Sequence, residues 1–432
     1  MATLLTPTLP TGAPGLSLDV TALGNARPIS LAHDPLPAPD RPTASTAVLD
    51  VTKWFGETSG GVKTYLVEKA RWISRREDVR HTLVIPGAFD ALAEGRGTRV
   101  YRLQGPRVPN QAYRFLLAPR TLRRIIAHER PTVIEVGSPV FVPWVTAFAT
   151  RGLGIPLVQF YHTSIAGAWR SLGLARAPGR LGRGLLAHWV RSLDRLVART
   201  IVASDFAARE LAEAGVSRVT RVPLGVDLDH FYPARRAMRE RTLRRLGLPL
   251  DRPMVLSVGR LAPEKRLECL VDAWPNVERA TGAHLVIVGS GPLEAALRAR
   301  CAATRVTWLP YQHDRVTLAN LIAAADLFVA PGDVETFGLA ALEALASGVP
   351  VVSSAEGAVA ELVDASRAGA TFQSGSAAGC AHAVRDVLAG DFASLSLRAR
   401  SYAEREHDWA TVFSRLLAVY QEVARETARL HP

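Results

Sequence analysis

The chain has 432 residues, room for two to three domains of ordinary size, and 48% of its residues are hydrophobic, which is ample for packed cores. Its formal net charge of +12 favours an anionic partner, either a nucleotide, a phospholipid surface or nucleic acid, and charge alone does not choose among them. The three cysteines, Cys269, Cys301 and Cys380, are scattered and odd in number, which excludes a disulfide framework and a cysteine metal site and fits a reducing cytoplasm.

The first 45 residues contain eight prolines and show little hydrophobic periodicity. We therefore expect residues 1–45 to form a disordered or loosely attached tail. They lack a basic stretch followed by a long apolar core, so they do not predict a signal peptide. The most apolar candidate for a membrane span, residues 133–150, is interrupted by Glu135, Pro139 and Pro143 and is not expected to cross a bilayer.

A first domain is predicted over residues 46–235. It begins with a strand at 46–51, and the pair Gly60 and Gly61 then opens a helix that runs to about residue 74. Glycines at a helix start let backbone amides approach a phosphate or sugar closely, although a plain turn has the same sequence. Further strand-like runs, separated in several cases by helical stretches, are 81–85, 98–103, 132–136, 156–161 and 199–203. This alternation predicts a parallel α/β sheet.

His162 follows the predicted strand at 156–161. Because ligands of parallel sheets bind outside the carboxyl ends of the strands, His162 lies at the edge where a site is expected. A lone histidine is also commonly structural, so its position alone does not assign a role.

The segment 170–199, from Arg170 to Arg199, carries seven arginines against a single acid, Asp194, with leucines and tryptophans between them. A basic, partly amphipathic segment fits an ordinary solvated face. It equally fits an anionic membrane surface, near which each exposed Lys or Arg gains about 1 kcal/mol. The sequence leaves both interpretations open.

A second domain is predicted over residues 236–408, beginning with a strand near 252–259. The loop after this strand carries Arg260 and Lys265, with Arg266 as a spare cation. Arginine offers a planar fork to phosphate oxygens and lysine a point charge, so the two can neutralise a diphosphate without a metal. A later turn has glycines at 289 and 291, but it lacks the third glycine of a dinucleotide-binding fingerprint.

The most informative stretch runs from Pro331 to Gly348 and predicts a loop followed by a short helix. A strand-like apolar run precedes it, residues 339–346 are good helix formers, and Gly348 stands where a left-handed C-terminal cap belongs. Another strand follows. The order strand, loop, helix, strand is one half-turn of a doubly wound sheet and places the loop in a ligand-binding crevice.

Two carboxylates flank the start of this helix. Glu335 lies in the loop, whereas Glu343 lies five residues past Gly338, roughly 7.5 Å further along the axis at about 1.5 Å per residue. Between them, the free amides of Phe337, Gly338 and Leu339 favour an anion or a sugar hydroxyl. The arrangement predicts a nucleotide-sugar site.

Glu335 and Glu343, with seven residues between them, Phe337-Gly338 inside and the run 346–352 behind, resemble the signature of the retaining glycosyltransferases of family 4. The resemblance covers roughly residues 47–425 and is most specific in the second half. It implies the α/β GT-B fold, in which two Rossmann-like, doubly wound domains face a central cleft. It also implies that a C-terminal helix, residues 409–432, crosses back to the first domain.

The resemblance implies catalytic roles as well. Glu335 would contact the donor hexose and Glu343 the ribose hydroxyls. Arg260 and Lys265 would stabilise the departing diphosphate without a metal ion, and His162 would lie near the reacting carbon of the sugar. The other expected donor contacts share a place on the cleft wall or around the nucleotide: Gly60, Gly61, Gly259, Gly289, Gly291, Tyr311, Phe337, Gly338 and Leu339.

Two acidic positions stand apart from this pattern. Asp227 and Asp229 form a D-x-D, which in the other large glycosyltransferase fold would hold a divalent metal. Here they precede Phe231-Tyr232-Pro233 at the implied exit from the first domain, so we expect them to be structural. Glu135 stands where relatives often carry Asp or His and receives no role.

The resulting expectation is a retaining hexosyltransferase that uses a nucleoside diphosphate sugar, with no cofactor beyond this substrate. GDP-mannose is the first choice, because Tyr161-His162-Thr163 together with Glu335-Thr336-Phe337-Gly338 resembles the mannosyltransferases of the family. The acceptor would be a hydroxyl of a lipid or cell-envelope glycan, and the location cytoplasmic, with peripheral attachment to the inner membrane face through Arg170–Arg199. Nucleic acid is not expected. The alternatives are a UDP-sugar donor, or a nucleotide-sugar epimerase or glycogen-type phosphorylase of the same fold. A non-catalytic basic protein that binds nucleic acid or membrane through Arg170–Arg199 would explain the charge but not the Glu335 element.

Overall fold

The structure, a computed structural model, describes residues 26–55, 60–108, 113–138, 141–164 and 180–430. These residues form two α/β units, each built on a largely parallel sheet, with the C-terminal helix returning to the first unit. Within them, no helix combines the length and the apolar character that a membrane crossing needs.

The strands of the first domain are β1 (Arg27–Pro28), β2 (Thr46–Val51), β3 (Val79–Gly87), β4 (Ala91–Gly95), β5 (Thr98–Gln104), β6 (Val133–Val136), β7 (Leu157–Phe160), β8 (Arg199–Val202) and β9 (Val219–Arg221). They form one sheet in the order β1-β4-β5-β3-β2-β6-β7-β8-β9. β4 pairs antiparallel with both β1 and β5, and the other pairs are parallel. The strand order reverses between β2 and β6, which is where a doubly wound sheet opens its crevice.

The strands of the second domain are β10 (Met254–Val258), β11 (His284–Val288), β12 (Val306–Leu309), β13 (Leu327–Ala330), β14 (Val351–Ser354) and β15 (Gly369–Phe372). Their order is β12-β11-β10-β13-β14-β15, and every pair is parallel. Most of these strands are buried apolar runs, as expected where helices cover both faces of a sheet. The order reverses between β10 and β13, so the loops after these two strands border the crevice of this domain.

The helices of the first domain are α1 (Gly61–Ser74), α2 (Pro119–Glu129), α3 (Val142–Thr150), α4 (Arg180–Asp194) and α5 (Asp205–Glu213). Those of the second domain are α6 (Arg239–Arg245), α7 (Leu267–Thr281), α8 (Glu294–Arg300), α9 (Arg315–Ala324), α10 (Leu339–Ala346), α11 (Ala358–Ser366), α12 (Ala377–Ala389) and α13 (Phe392–Glu406). The last helix, α14 (Trp409–Leu430), packs on α1 and β6 of the first domain.

The two passages of the chain between the domains lie side by side. Val226 pairs with Asp408 in an isolated parallel bridge, and the amide of Val226 donates to the carbonyl of His407 at 2.8 Å. A Cβ on Gly225 would lie 2.6 Å from the ring of Trp409, so this crossing needs a glycine. The domains are therefore joined by two closely packed segments.

The expectation of a loose tail is wrong for residues 26–45. β1 pairs with β4, and Leu31 is fully buried in the core of the first domain. The prolines leave an extended backbone, and arginine side chains satisfy its carbonyl groups: Arg99 donates to the carbonyls of Pro37 and Ala38, and Arg124 to that of Leu31. Residues 1–25 lie outside the described part of the chain.

Candidate active site

The loops after β10 and β13 enclose a pocket at the switch point of the second sheet. Gly259, Arg260 and Lys265 line it from the first loop. Gly332 and Glu335 line it from the second, together with the start of α10. The topology thus brings together two loops whose residues are about 70 positions apart in sequence. Four of these five lining residues were predicted to be site residues.

Lys265 and Glu335 form an ion pair across this pocket, from Lys265 Nζ to Glu335 Oε1. Both side chains remain partly accessible, 29% and 23% exposed. Arg260 differs: its side chain is 62% exposed and pairs with Glu264 at the rim. Lys265 therefore presents its charge inside the pocket, whereas Arg260 would have to turn inward to reach a ligand there.

Arg266 is not a spare cation. It adopts a left-handed conformation (φ +51°), and its guanidinium donates twice to Oδ2 of Asp333, at 3.0 and 2.8 Å. Ser374 donates to the same oxygen at 2.7 Å, and the Asp333 side chain is 1% exposed. These bonds fix the loop that carries Glu335.

The start of α10 provides unpaired amides. No side chain of the described residues caps this helix, so its first N–H groups lie beside the pocket without an intrahelical acceptor. Gly338 has φ +90°, and a Cβ there would lie 2.3 Å from Cγ2 of Val359. The ring of Phe337 is buried, 5.7 Å from the ring of His407, so only its backbone can face a ligand. Free amides beside Lys265 suit a phosphate.

Two predicted glycines serve the packing of neighbouring loops. A Cβ on Gly289 would lie 1.9 Å from the carbonyl oxygen of Gly259, and one on Gly291 would lie 2.3 Å from that of Leu261. Neither is among the described residues that line the pocket. Their need for glycine follows from the close approach of the loops after β10 and β11, whereas Gly259 itself lines the pocket.

Glu343 lies where α10 meets the other domain. Burial raises the pKa of its carboxyl to about 7, with Arg315 opposing the rise and Asp227 and Glu68 adding to it. Arg315 Nη1 is 3.0 Å from Glu68 Oε1 of α1, and Arg315 Nη2 is 3.7 Å from Asp227 Oδ2. Glu343 is half-buried beside this interdomain cluster, in a place where a ligand hydroxyl could meet it.

The two aspartates of the D-x-D, Asp227 and Asp229, have different surroundings. Asp227 accepts the amide of His230 at 3.0 Å in addition to its contact with Arg315, whereas Asp229 is exposed. Among the described residues, no group of three or more His, Cys, Asp or Glu side chains is arranged to hold a metal ion. The side chain of Asp227 thus has protein partners at the domain crossing.

His162 lies in the first domain, and its backbone contacts the loop that carries Glu335. Its ring stacks parallel on Phe160 with the centroids 4.2 Å apart and packs against Tyr65 at 5.3 Å. Burial lowers the pKa of His162 to about 3, so the imidazole is neutral. Its buried Nε2 has no hydrogen-bond partner among the described residues, as expected of an atom that a ligand would satisfy.

Thr336 joins the two halves of the site. Its hydroxyl donates to the carbonyl oxygen of His162 at 3.0 Å, and its own carbonyl accepts the Ser204 hydroxyl at 2.8 Å. Glu335 precedes it directly, so the Glu335 loop of one domain touches the His162 loop of the other. Sequence analysis did not single out Thr336, because no local pattern reveals a contact between residues 174 positions apart.

The first helix completes the opposite wall. Among the described residues, a Cβ on Gly60 would have no neighbour within 4 Å, and one on Gly61 would meet only Leu339 Cδ2, at 3.9 Å. The start of α1 therefore faces the start of α10 across open space. Tyr311, predicted near the base, is 39% exposed and its ring contacts His313.

The predicted membrane segment is described in part. Residues 170–179, with Arg170 and Arg176, lie outside the described residues, whereas Arg180–Asp194 form α4 and Arg199 begins β8. Arg191 donates to the carbonyl of Ala214, and Arg199 pairs with Glu422 and Glu426 of α14. On the same helix as Arg191, Leu185 is 64% exposed.

Comparison with known proteins gives two family matches. Residues 59–230 match the model described as Glycosyltransferase Family 4, and residues 252–390 match Glycosyl transferases group 1. The chain is 31% identical to a GDP-mannose-dependent alpha-(1-6)-phosphatidylinositol dimannoside mannosyltransferase of Mycobacterium tuberculosis, over 79% of this chain and 87% of that protein. It is 34% identical to a GDP-mannose-dependent alpha-mannosyltransferase of the same species, over 66% of this chain and 71% of that protein.

Solved structures share the fold at lower identity. Sucrose-phosphate synthase from Thermosynechococcus elongatus superposes with a TM-score of 0.72 at 21% identity, over 88% of this chain and 99% of that one. Anabaena HepE in complex with UDP and glucose gives a TM-score of 0.67 at 18% identity, over 87% of this chain and 99% of that one. The two facing Rossmann-like domains thus have the GT-B arrangement.

Proposed function

Because the chain belongs to glycosyltransferase family 4 and has the GT-B fold, we propose that it transfers mannose from GDP-mannose to a hydroxyl acceptor, with retention of configuration and without a metal ion. The observation that carries this proposal is the Lys265–Glu335 pair at the open start of α10, whose loop contacts the backbone of the neutral His162 through Thr336. Both relatives described above are named for GDP-mannose, which supports this donor over a UDP-sugar.

The leaving group would be held by the second domain. As the bond to the sugar breaks, negative charge grows on the diphosphate, and a cation and helix amides already in place lower the barrier most. Lys265 and the first amides of α10 are so placed, and Arg260 could turn inward from the rim to join them. This supply of positive charge supports transfer without a metal.

The hexose would lie between the two domains. Glu335 could accept a sugar hydroxyl once a phosphate takes over Lys265, and Glu343 could accept the ribose hydroxyls beyond it. His162 is neutral, so its Nε2 can exchange a hydrogen bond with the sugar but carries no charge. The acceptor proton would then pass to the departing diphosphate oxygen on the same face, which keeps the configuration.

The acceptor is proposed from the relatives and from the basic segment. One relative described above is named a phosphatidylinositol dimannoside mannosyltransferase, which supports a lipid or envelope glycan as the acceptor here. α4 presents an exposed Leu185 among basic residues, which supports attachment to an anionic membrane surface. We propose a cytoplasmic location at that surface.

The test is release of nucleoside diphosphate from GDP-mannose, UDP-glucose and UDP-galactose by the full-length chain, with and without excess EDTA. We expect turnover of GDP-mannose, unchanged by EDTA, and none above background with Lys265→Ala. Preference for a UDP-sugar would show that GDP-mannose is not the donor. Inhibition by EDTA that manganese reverses would show that the reaction needs a metal ion. Interconversion of the sugar without diphosphate release would indicate an epimerase.

A further inference from the structure

A network of charged and hydroxyl groups lies buried beneath His162. Lys69 Nζ is 2.8 Å from Asp50 Oδ1 and 3.4 Å from Glu135 Oε2, and these three side chains are at most 2% exposed. Tyr65 and Tyr420 bring their hydroxyls to the same point. Burying charge in a protein interior is costly unless each group is paired, so such a cluster calls for an explanation.

Tyr65 connects this network to the active site. Its ring lies 5.3 Å from that of His162 and 5.0 Å from that of Phe160. Its hydroxyl is 3.0 Å from both oxygens of Glu135, which therefore fixes the rotation of the ring. Any shift of Glu135 would be transmitted to the surface on which His162 packs.

Tyr420 comes from α14, the helix that returns from the second domain. Lys69 has only donors, and it lies 2.7 Å from the Tyr420 oxygen, which must accept. The Tyr420 proton is then directed to Glu135 Oε2. The chain of donation runs from Lys69 through Tyr420 to Glu135, with Tyr65 donating from the other side.

The ionised form of Glu135 depends on these donors. Burial raises the pKa of its carboxyl to about 7, with Asp50 adding to the rise and Lys69, Tyr420 and Tyr65 opposing it. A carboxylate accepts from both tyrosines, whereas a protonated carboxyl would need an acceptor of its own. Loss of the Tyr420 hydroxyl would therefore disturb the bond that holds Tyr65.

We propose that Tyr420 is a positioning residue for His162, acting through Glu135 and Tyr65, so that the C-terminal helix supports the catalytic cleft from behind. This inference rests on the proposed function only in assigning His162 to the sugar. It gives Glu135, which matched no family pattern, a place in the mechanism. It also gives a reason for this helix to return to the first domain at this point.

The experiment compares Tyr420→Phe with a matched control in the full-length chain. Tyr101→Phe removes another buried hydroxyl of the first domain, which donates to Glu129 at 2.6 Å beside Arg99. That cluster also consists of a tyrosine, a carboxylate and a cation, but it lies away from the cleft. In assays of nucleoside diphosphate release, we expect Tyr420→Phe to lower kcat about tenfold with KM changed less than twofold, and Tyr101→Phe to leave both unchanged.

Two further measurements separate positioning from stability. Tyr65→Phe should match Tyr420→Phe, and the double variant should be no slower than either, because both act through Glu135. The imidazole resonances of His162, read by NMR on histidine-labelled protein, should shift in Tyr420→Phe and stay in place in Tyr101→Phe. This readout needs no turnover, so it tests the inference even if the wild-type chain uses none of the nucleotide sugars named above.

Two results would overturn the proposal. One is a Tyr420→Phe variant with wild-type kcat and a loss of stability equal to that of Tyr101→Phe. The other is an unshifted His162 ring in Tyr420→Phe. Either would show that the network only holds the helix in place.

Discussion

Lys265 and Arg266 are adjacent cations with different partners. Lys265 meets Glu335 in the pocket, whereas Arg266 is bound to the buried Asp333. We expect Lys265→Ala to lower kcat by about 100-fold or more, because it removes charge from the leaving diphosphate. Arg266→Ala should instead lower the free energy of unfolding by on the order of 2–3 kcal/mol.

Steady-state kinetics and urea unfolding of both variants check this division. The control for each variant is the other. A loss of kcat in Arg266→Ala as large as that in Lys265→Ala, with unchanged stability, would show that Arg266 binds the diphosphate.

His407 links stability to pH. It is 3% exposed, Nδ1 donates to the carbonyl of Leu224 and Nε2 accepts from the Tyr402 hydroxyl. Burial lowers the pKa of His407 to about 4. Between about pH 6.5 and pH 4, the unfolded chain, with an ordinary histidine pKa near 6.5, binds a proton at this residue and the folded chain does not. This contribution to stability is therefore full above about pH 6.5 and is lost as pH falls toward 4.

We expect this group alone to lower the free energy of unfolding by about 1.4 kcal/mol for each pH unit within that window. His407→Asn, which keeps a donor toward Leu224, should flatten the decline measured by urea unfolding between pH 7 and pH 5. His162, His230 and His284, whose pKa values are also lowered by burial, should contribute to the remaining decline. An identical slope in the variant would exclude His407 as the source.

At the scale of single residues, the sequence predicted the groups that belong to a contiguous motif. Lys265 and Glu335 carry charge in loops after predicted strands, and the structure pairs them. Thr336, Glu135 and Tyr420 were not predicted because their partners come from distant parts of the chain, 285 positions apart for the last two. No periodicity within one segment encodes such contacts.

At the scale of elements, one contact bridges the start of α5 in the first domain and α11 in the second. Glu361 of α11 accepts the amides of Asp205 and Phe206, at 2.9 and 2.5 Å, at the start of α5 in the other domain. A carboxylate at a helix N-terminus is favourable because it meets free N–H groups and the positive end of the dipole. We call this contact the interdomain clasp.

We expect Glu361→Ala to raise the KM for the donor about 5- to 30-fold, since loss of 1–2 kcal/mol from the closed arrangement lowers the competent population. Small-angle scattering of the variant should show a larger radius of gyration. The control is Glu404→Ala, which removes an exposed glutamate from an ion pair within the last turns of α13. Equal KM values for Glu361→Ala and the wild type would show that the clasp does not limit closure.

The segment 26–45 is an element in its own right. Deleting residues 1–45 removes Leu31 from the core and leaves Arg99 and Arg124 without their carbonyl acceptors, so we expect a loss of at least about 2 kcal/mol of stability. Deleting residues 1–25 removes none of these contacts and is the control. Urea unfolding that gives equal midpoints for the two deletions would contradict this role.

Strands with an apolar run in their own sequence were predicted, whereas a strand that forms because neighbouring strands pair with it was not. β2 and β13 follow buried apolar runs that are visible in the sequence. β4 reads Ala-Leu-Ala-Glu-Gly, without a β-branched residue, and becomes a strand because β5 and β1 flank it. Its existence depends on tertiary contacts that override weak propensity.

At the scale of the molecule, alternating strands and helices were enough to predict doubly wound domains. The family resemblance, rather than periodicity, implied that the last helix returns to the first domain. The donor base was not predictable from side chains, because Tyr311, which the resemblance places near the nucleotide, is exposed. The two closely packed crossings at Val226 and Asp408 then define a cleft between the domains.

The central claim is transfer of mannose with retention from a cleft that holds cations and amides on the leaving-group side and a neutral His162 opposite. The measurement is proton and carbon NMR of the mannosyl product immediately after turnover of GDP-mannose, read for the anomeric configuration before any equilibration. We expect an α-linked product from the α-linked donor, because no described residue is placed as a charged base opposite the leaving group. A β-linked product would contradict the account and would make His162 the base that activates the acceptor.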